Sequence, residues 1–328
     1  MKRLAYFGAI GVVAGLALLT ALIVLQGWED ILAAFRHAGW ALLLVVLARL
    51  LTLALDAWAW RLLLAPFDPA RAAGALFLTW VASVREAVNR LLPAAGIGGE
   101  VVGVRLARLR LPDTTALAAS IIVELAATIV VIYLFCGVGL LLMARLAAGL
   151  HQVWIVAASL LLSLPLPLLI WWLLRHGSPF RRVEQWALRL LGPQNRIALH
   201  LDGERLDAGI RRLFGERGRV LRAMGLSLLS YFLGSFETWY ALALLGHPVS
   251  VQAAVAIEAL TQATRHASFL VPAGLGVQEA AVVLFGHLAG VGGDVALSLA
   301  LVKRMREILI GIPALLSWHW VEVRRLRG

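Results

Sequence analysis

Only one cysteine, Cys136, occurs in this chain, and it lies inside an apolar run. An internal disulfide is therefore excluded, and a reactive thiol is not expected in such surroundings. Charge is scarce as well: Asp, Glu, Lys and Arg make up 15% of the 328 residues. No P-loop, CxxC, HExxH or pair of histidines at metal-ligand spacing occurs, so no metal, cofactor or direct drive by ATP is expected. The run "GLGVQE" (Gly274 to Glu279) superficially matches a dinucleotide fingerprint, yet no strand precedes it and no βαβ unit surrounds it.

What the chain has instead is apolar length. It is 61% hydrophobic with a mean hydropathy of +0.85, and apolar runs long enough to cross a bilayer recur along it. The first, Leu4 to Leu25, is longer than the apolar part of a signal peptide and lacks a small-residue cleavage site, so it is expected to be retained. The net charge of +11 would suggest nucleic acid as the partner of a soluble protein. In a membrane protein it reports topology and contact with anionic lipid headgroups, and no nucleic acid is expected.

Clear spans fall at 4–25, 40–64, 113–143, 153–174, 220–246 and 293–320. Two further apolar regions, 73–111 and 251–291, hold the motifs "RLLPAAGIGGE" (Arg90 to Glu100) and "FLVPAGLGVQE" (Phe269 to Glu279). If each region were one ordinary span, the best orientation would leave seven basic residues outside: Lys2, Arg3, Arg71, Arg145, Arg324, Arg325 and Arg327. If each region dips in, turns at its motif and returns, only Arg36 and Arg145 face outside. The preference for cytoplasmic basic residues favours the second arrangement. The expected fold is all-α, a polytopic membrane protein of about six spans and two re-entrant hairpins, with both termini cytoplasmic. The entering arms are nearly span-length, so eight spans stay open as the alternative.

One membrane domain, 1–328, is expected, with a first repeat at 40–143 and a second at 220–320. The two run in opposite orientations, and "LDAWAWRLLL" (Leu55 to Leu64) resembles "FETWYALALL" (Phe236 to Leu245), matching Asp56 with Glu237 and Trp58 with Trp239. Inverted repeats with broken helices are a known construction for transporters. Between them lies a basic cytoplasmic connector, 175–219. Counted from Arg175 to Arg222, the stretch carries eleven arginines against five acids, with apolar residues at helical spacing as in interfacial helices. Trp28, Trp40, Trp171, Trp172, Trp318 and Trp320 fall near span ends and read as interfacial anchors.

Non-helical backbone at membrane depth must be buried in protein or line a wet cavity. Pro93 and Pro272 end the entering arms, while Gly98, Gly99, Gly274 and Gly276 permit the reversals. Glu100 and Glu279 then fall near the start of the return arms, where a carboxylate serves as a helix cap. They also have the chemistry to hold a proton or the hydroxyls or amine of a headgroup, and the free N–H groups there suit a phosphate. Arg85, Glu86, Asn89 and Arg90 on the first arm, Arg265 on the second, and Gln278 and Arg304 complete the candidate binding set, while Glu258 and His266 are further ionisable residues at depth on the second arm. Asp56, Glu124, Glu237, Lys303, Arg306 and Glu307 lie inside spans and are candidates for structural ion pairs or proton coupling. At offsets of 179 and 180, Glu86 aligns with Arg265 and Glu124 with Arg304, which predicts that these opposite charges meet across the repeat axis; the alternative is that Arg304 pairs locally with Glu307 or Glu279 and that Glu124 is protonated.

"VREAVNRLLPAAGIGGEVVGVRL", "EALTQATRHASFLVPAGLGVQEAAV" and "LALVKRMREILIGIPALLSW" resemble the transmembrane, flippase-like domain of the lysylphosphatidylglycerol synthase family. Within it they are most similar to the branch associated with hopanoid biosynthesis clusters. The resemblance covers nearly the whole chain. It implies a bacterial inner-membrane protein that moves a lipid, a hopanoid or related lipid if the branch is right, with no catalytic residues of its own. The aminoacyl-transferase domain of larger relatives is expected to be missing, and with it any synthase activity. Two other readings stand beside this one: an intramembrane lipid-modifying transferase using Glu100, Glu279 or Glu124 as general base, and a scaffold for lipid-synthesis enzymes.

Overall fold

The computed structural model describes residues 39–92, 98–146, 154–155, 157–158, 161–162, 164–191, 202–267 and 276–327. The expected span 4–25, the motif residues Pro93, Pro272 and Gly274, and residues 153, 156, 159, 160 and 163 of the expected span 153–174 lie outside the described residues. Within them the chain is helical throughout. A short 3-10 turn leads into α1 (Leu42–Leu64), followed by α2 (Ala75–Leu91), α3 (Gly98–Ala107) and α4 (Thr114–Leu146). The connector supplies α5 (Pro165–His176), α6 (Pro179–Leu191) and α7 (Gly203–Gly215). The second half then runs α8 (Arg217–Leu244), α9 (Val251–Ala267), α10 (Val277–Leu288) and α11 (Gly293–Arg327).

Local chemistry sets the boundaries. Asp113 accepts from the Ala116 N–H at 3.1 Å and opens α4, as Asp202 does for α7 and Ser250 for α9; each satisfies an N–H that the first turn leaves free. Gly290 ends α10 with φ +83, and the Val291 N–H reaches back to the Gly286 carbonyl at 2.8 Å. That left-handed closure is one that glycine adopts without a Cβ penalty.

Two described helices, Gly39–Leu64 and Thr114–Leu146, have both the length and the apolar composition to cross a membrane. Leu43, Leu44, Leu47, Leu51 and Trp58 of α1 point outward, as do Leu134 and Leu141 of α4, which suits contact with acyl chains. With 28 and 35 residues, α8 and α11 have the length at ~1.5 Å per residue. Their mid-helix charges make them less apolar than the expected spans 220–246 and 293–320 suggested. At that rise the 17 residues of α2 and of α9 reach ~26 Å, against a hydrocarbon core of ~30 Å. The 10 residues of α3 and 12 of α10 reach only ~15 and ~18 Å.

The two halves interlock. Helix α1 packs on α8, α4 on α9, and α2 on α11; within the halves α2 packs on α1 and α3, and α9 on α8 and α10. Exchanging α1 with α8, α2 with α9, α3 with α10 and α4 with α11 turns each of these contacts into another on the same map.

The connector departs from a purely interfacial helix pair. In α7, Ile210 and Leu213 are fully buried and Phe214 nearly so, in one apolar cluster with Ala59, Leu63, Ala119 and Val123 of α1 and α4. Its apolar stripe is therefore covered by protein and not by lipid. Asp207 accepts from the Arg181 N–H at 2.9 Å, tying the start of α6 to α7.

Candidate functional site

Charged side chains converge where the broken helices meet α11. Arg85 of α2 donates from Nε to Glu100 at 3.1 Å and from Nη1 to Glu124 of α4 at 3.0 Å. Its guanidinium lies 5.0 Å from the ring centroid of Trp60, whose indole N–H donates to Ser120 at 3.0 Å. A Cβ at Gly99 would strike the Arg85 carbonyl oxygen and the Asn89 amide, and one at Gly103 would strike the Arg85 side chain. These glycines of α3 give Arg85 the room to reach both carboxylates.

Helix α3 is capped, but not by its glutamate. The Asn89 carbonyl oxygen accepts from the Gly99 N–H at 2.8 Å, which leaves the Glu100 carboxylate to Arg85, with the Asn89 NH2 at 3.4 Å. The capping reading of Glu100 is therefore corrected: the side-chain amide of Asn89, directly before the motif, takes the free N–H, and the acid serves the cation. In the second half Glu279 is likewise taken by a cation, Arg304 of α11, at 2.6 Å. Its other carboxylate oxygen is buried without a hydrogen-bond partner.

The motifs touch through Arg90. From the first motif its Nη1 donates to the Gln278 side-chain oxygen of the second at 3.2 Å, and it lies 3.0 Å from Glu307. Glu307, almost wholly buried, also takes Arg304 at 2.9 Å and has Arg306 at 3.8 Å. Arg306 is bound in turn to Glu237 of α8. Glu86 of α2 holds Arg49 of α1 and has Arg90 at 3.6 Å. A small cavity between α1, α2 and α11 is lined by Arg49, Glu86, Arg90, Arg306 and Glu307, with Ser83 and Gly311 at its wall. A separate chain runs through Glu258, which takes Lys303 and accepts from Thr238 at 2.6 Å and Gln262 at 2.7 Å. Arg265 donates to Gln262 at 2.6 Å.

The expected pairing across the repeat axis is not what forms. Glu124 goes to Arg85, Arg304 goes to Glu279 and Glu307, and Glu86 goes to Arg49 and Arg90. The reason is local supply. Each motif glutamate draws the nearest guanidinium, and Glu307 lies one turn from Arg304, where side chains meet on a helix face. Gly98 and Gly276 sit at the openings of α3 and α10, Gly276 with φ +75. Among the described residues no cluster of three or more acids, histidines or cysteines is suited to a metal.

Arg49 was missed by sequence reasoning, although a lone arginine in "VVLARLLTL" is the intramembrane charge that marks a site by default. What the arrangement offers is a polar interior in which both motif acids are ion-paired and the two motifs share one arginine. The family model of the lysylphosphatidylglycerol synthase transmembrane region matches residues 12–314. No curated protein and no solved structure matches the chain.

Proposed function

We propose that this chain, which belongs to the lysylphosphatidylglycerol synthase transmembrane family, is a translocase that moves a lipid between leaflets and performs no covalent chemistry. The observation that carries the reading is the contact between the motifs, Arg90 to Gln278 at 3.2 Å, inside a charged interior that lipid tails cannot solvate. An inverted repeat in which α2–α3 and α9–α10 are re-entrant hairpins accounts for the short return arms and for the packing that maps onto itself when the halves are exchanged. A headgroup with hydroxyl, amine or phosphate groups finds partners there by exchanging with the existing ion pairs, while its tails stay against the apolar outer faces. The membrane is the bacterial inner membrane, with both termini cytoplasmic. A hopanoid-related cargo rests on the motif resemblance alone, and an anionic phospholipid is the other candidate.

The test is lipid movement in liposomes reconstituted with the full chain, alongside mass spectrometry of the lipid that co-purifies. Wild type should speed the exchange of a fluorescent phospholipid between leaflets. The Glu100→Gln, Glu279→Gln double variant should lose that activity while staying monodisperse. Normal movement in the double variant would refute the role given to the motif acids, and no movement by wild type with any co-purified lipid would refute the translocase.

A further inference from the structure

We infer that Asp56 is a proton-binding site, and that its loading and unloading couple lipid movement to a proton gradient; the coupling rests on the translocase reading. Each of the seven interior glutamates described above has an arginine or lysine nitrogen within 4.0 Å. Asp56, the eighth interior acid, has no such cation among the described residues. It lies in α1 at the α1–α8 crossing, partly exposed and facing Ser230, whose hydroxyl donates to the Thr52 carbonyl at 3.3 Å.

Among the described residues, the repeat alignment also offers Asp56 no matching cation. Glu237, the counterpart of Asp56 in the second half, is held by Arg306. At the offset of 180 that aligns Glu124 with Arg304, Arg306 aligns with Ala126, and Ala126 sits in the apolar cluster that also contains Ala59 of α1. Nor do the described neighbouring helices supply a replacement. Among the described residues, the charged and titratable groups that bear on Asp56 include Arg49 on α1, Arg85 and Glu86 on α2, Glu124 on α4 and Tyr231 on α8. Arg49 is bound to Glu86, and Arg85 to Glu100 and Glu124. Helix α11 also packs on α1, and its Arg306 is committed to Glu237.

An unpaired carboxylate in this setting is relieved by a proton, which removes the charge that burial penalises. A hard metal ion is a poorer fit, since it wants several oxygen ligands and the position offers one carboxylate and one hydroxyl. The cycle balances without any redox partner. A proton from water on one face forms the O–H bond of the acid, and that bond breaks to return the proton to water on the other face.

Infrared difference spectra of the purified full chain, titrated with pH, should show the C=O band of a protonated carboxyl that is lost as pH rises. The band should be missing in Asp56→Asn. It should shift when aspartate, and not glutamate, carries carboxyl carbon-13, a readout that needs no variant to fold. In liposomes, an imposed pH gradient should change the wild-type rate of lipid movement, and the ratio of rates with and without the gradient should fall to unity in Asp56→Asn. A band that survives in Asp56→Asn, or that shifts only with labelled glutamate, overturns the proton site. Wild-type movement indifferent to the gradient overturns the coupling and leaves the translocase standing. No movement at all overturns the translocase and the coupling together, while the spectra still decide the proton site.

Discussion

Replacing Glu307 by Gln should be among the most damaging single substitutions that keep side-chain size. The carboxylate has Arg304 at 2.9 Å, Arg90 at 3.0 Å and Arg306 at 3.8 Å, and its side chain is 1% exposed. Unit charges at such separations interact by about 4–6 kcal/mol at an effective dielectric of about 20. The variant does not lose the sum of three such terms, because Arg304 keeps Glu279 and Arg306 keeps Glu237. Arg90 is left with Glu86 at 3.6 Å and the neutral Gln278, so most of the cost falls there. Removing one partner of a buried pair typically costs about 3–5 kcal/mol, and a loss in that range is expected. Glu322→Gln is the control, since its partner Arg105 is 58% exposed and such pairs contribute about 0–1 kcal/mol. Thermal unfolding in detergent, followed by monodispersity, separates the two. If Glu307→Gln melts no earlier than Glu322→Gln, the description of Glu307 as the common anion of three guanidiniums is wrong.

Two further outcomes follow from the same geometry. A double-mutant cycle on Glu279→Gln and Arg304→Gln should show coupling of at least about 1 kcal/mol, as contacting charges do, whereas Glu124→Gln and Arg304→Gln should add within about 0.5 kcal/mol; the reverse ranking would restore the pairing across the repeat axis. Single cysteines at Arg108 and Gly290, in a Cys136→Ser background, should label from opposite faces, the cytoplasm for 108 and the periplasm for 290. Labelling of both from one side would sink the inverted orientation.

How far the sequence could be read depended on whether a feature was local. The apolar runs of α1 and α4 announce themselves by composition. The convergence of charge around the two motifs was also legible, because ionisable residues inside apolar runs have few reasons to be there. Partner choice was legible only as two alternatives, Arg304 with Glu124 across the axis or locally with Glu279 or Glu307, and the local one forms. Whether Arg304 meets Glu124 or Glu279 depends on how α10 and α11 pack, and an alignment of repeats carries no such distances. The amphipathic pattern of α7 was visible, but the same stripe serves a lipid surface or a protein surface equally well. Only the packing of Ile210 and Leu213 on α1 and α4 distinguishes them.

Under the inverted repeat proposed above, the first half of the molecule is an internal control for the second. At the offset of 180, Lys303, Arg306 and Glu307 of α11 align with Val123, Ala126 and Ala127 of α4, and those three are buried apolar residues in the same kind of helix. Closing the fold at these positions therefore does not require charge. Buried ion pairs are in any case often matched or bettered in stability by apolar packing of the same volume. Stability alone is a weak reason for α11 to carry a lysine, two arginines and a glutamate within five residues. Their contacts supply a stronger one: Arg304 takes the second motif's acid and Glu307 takes the first motif's arginine, so α11 ties both broken helices to one rod. In the first half the corresponding helix meets the motif through Glu124, reached by Arg85. The two motifs are alike in sequence but are held from opposite sides of the charge ledger.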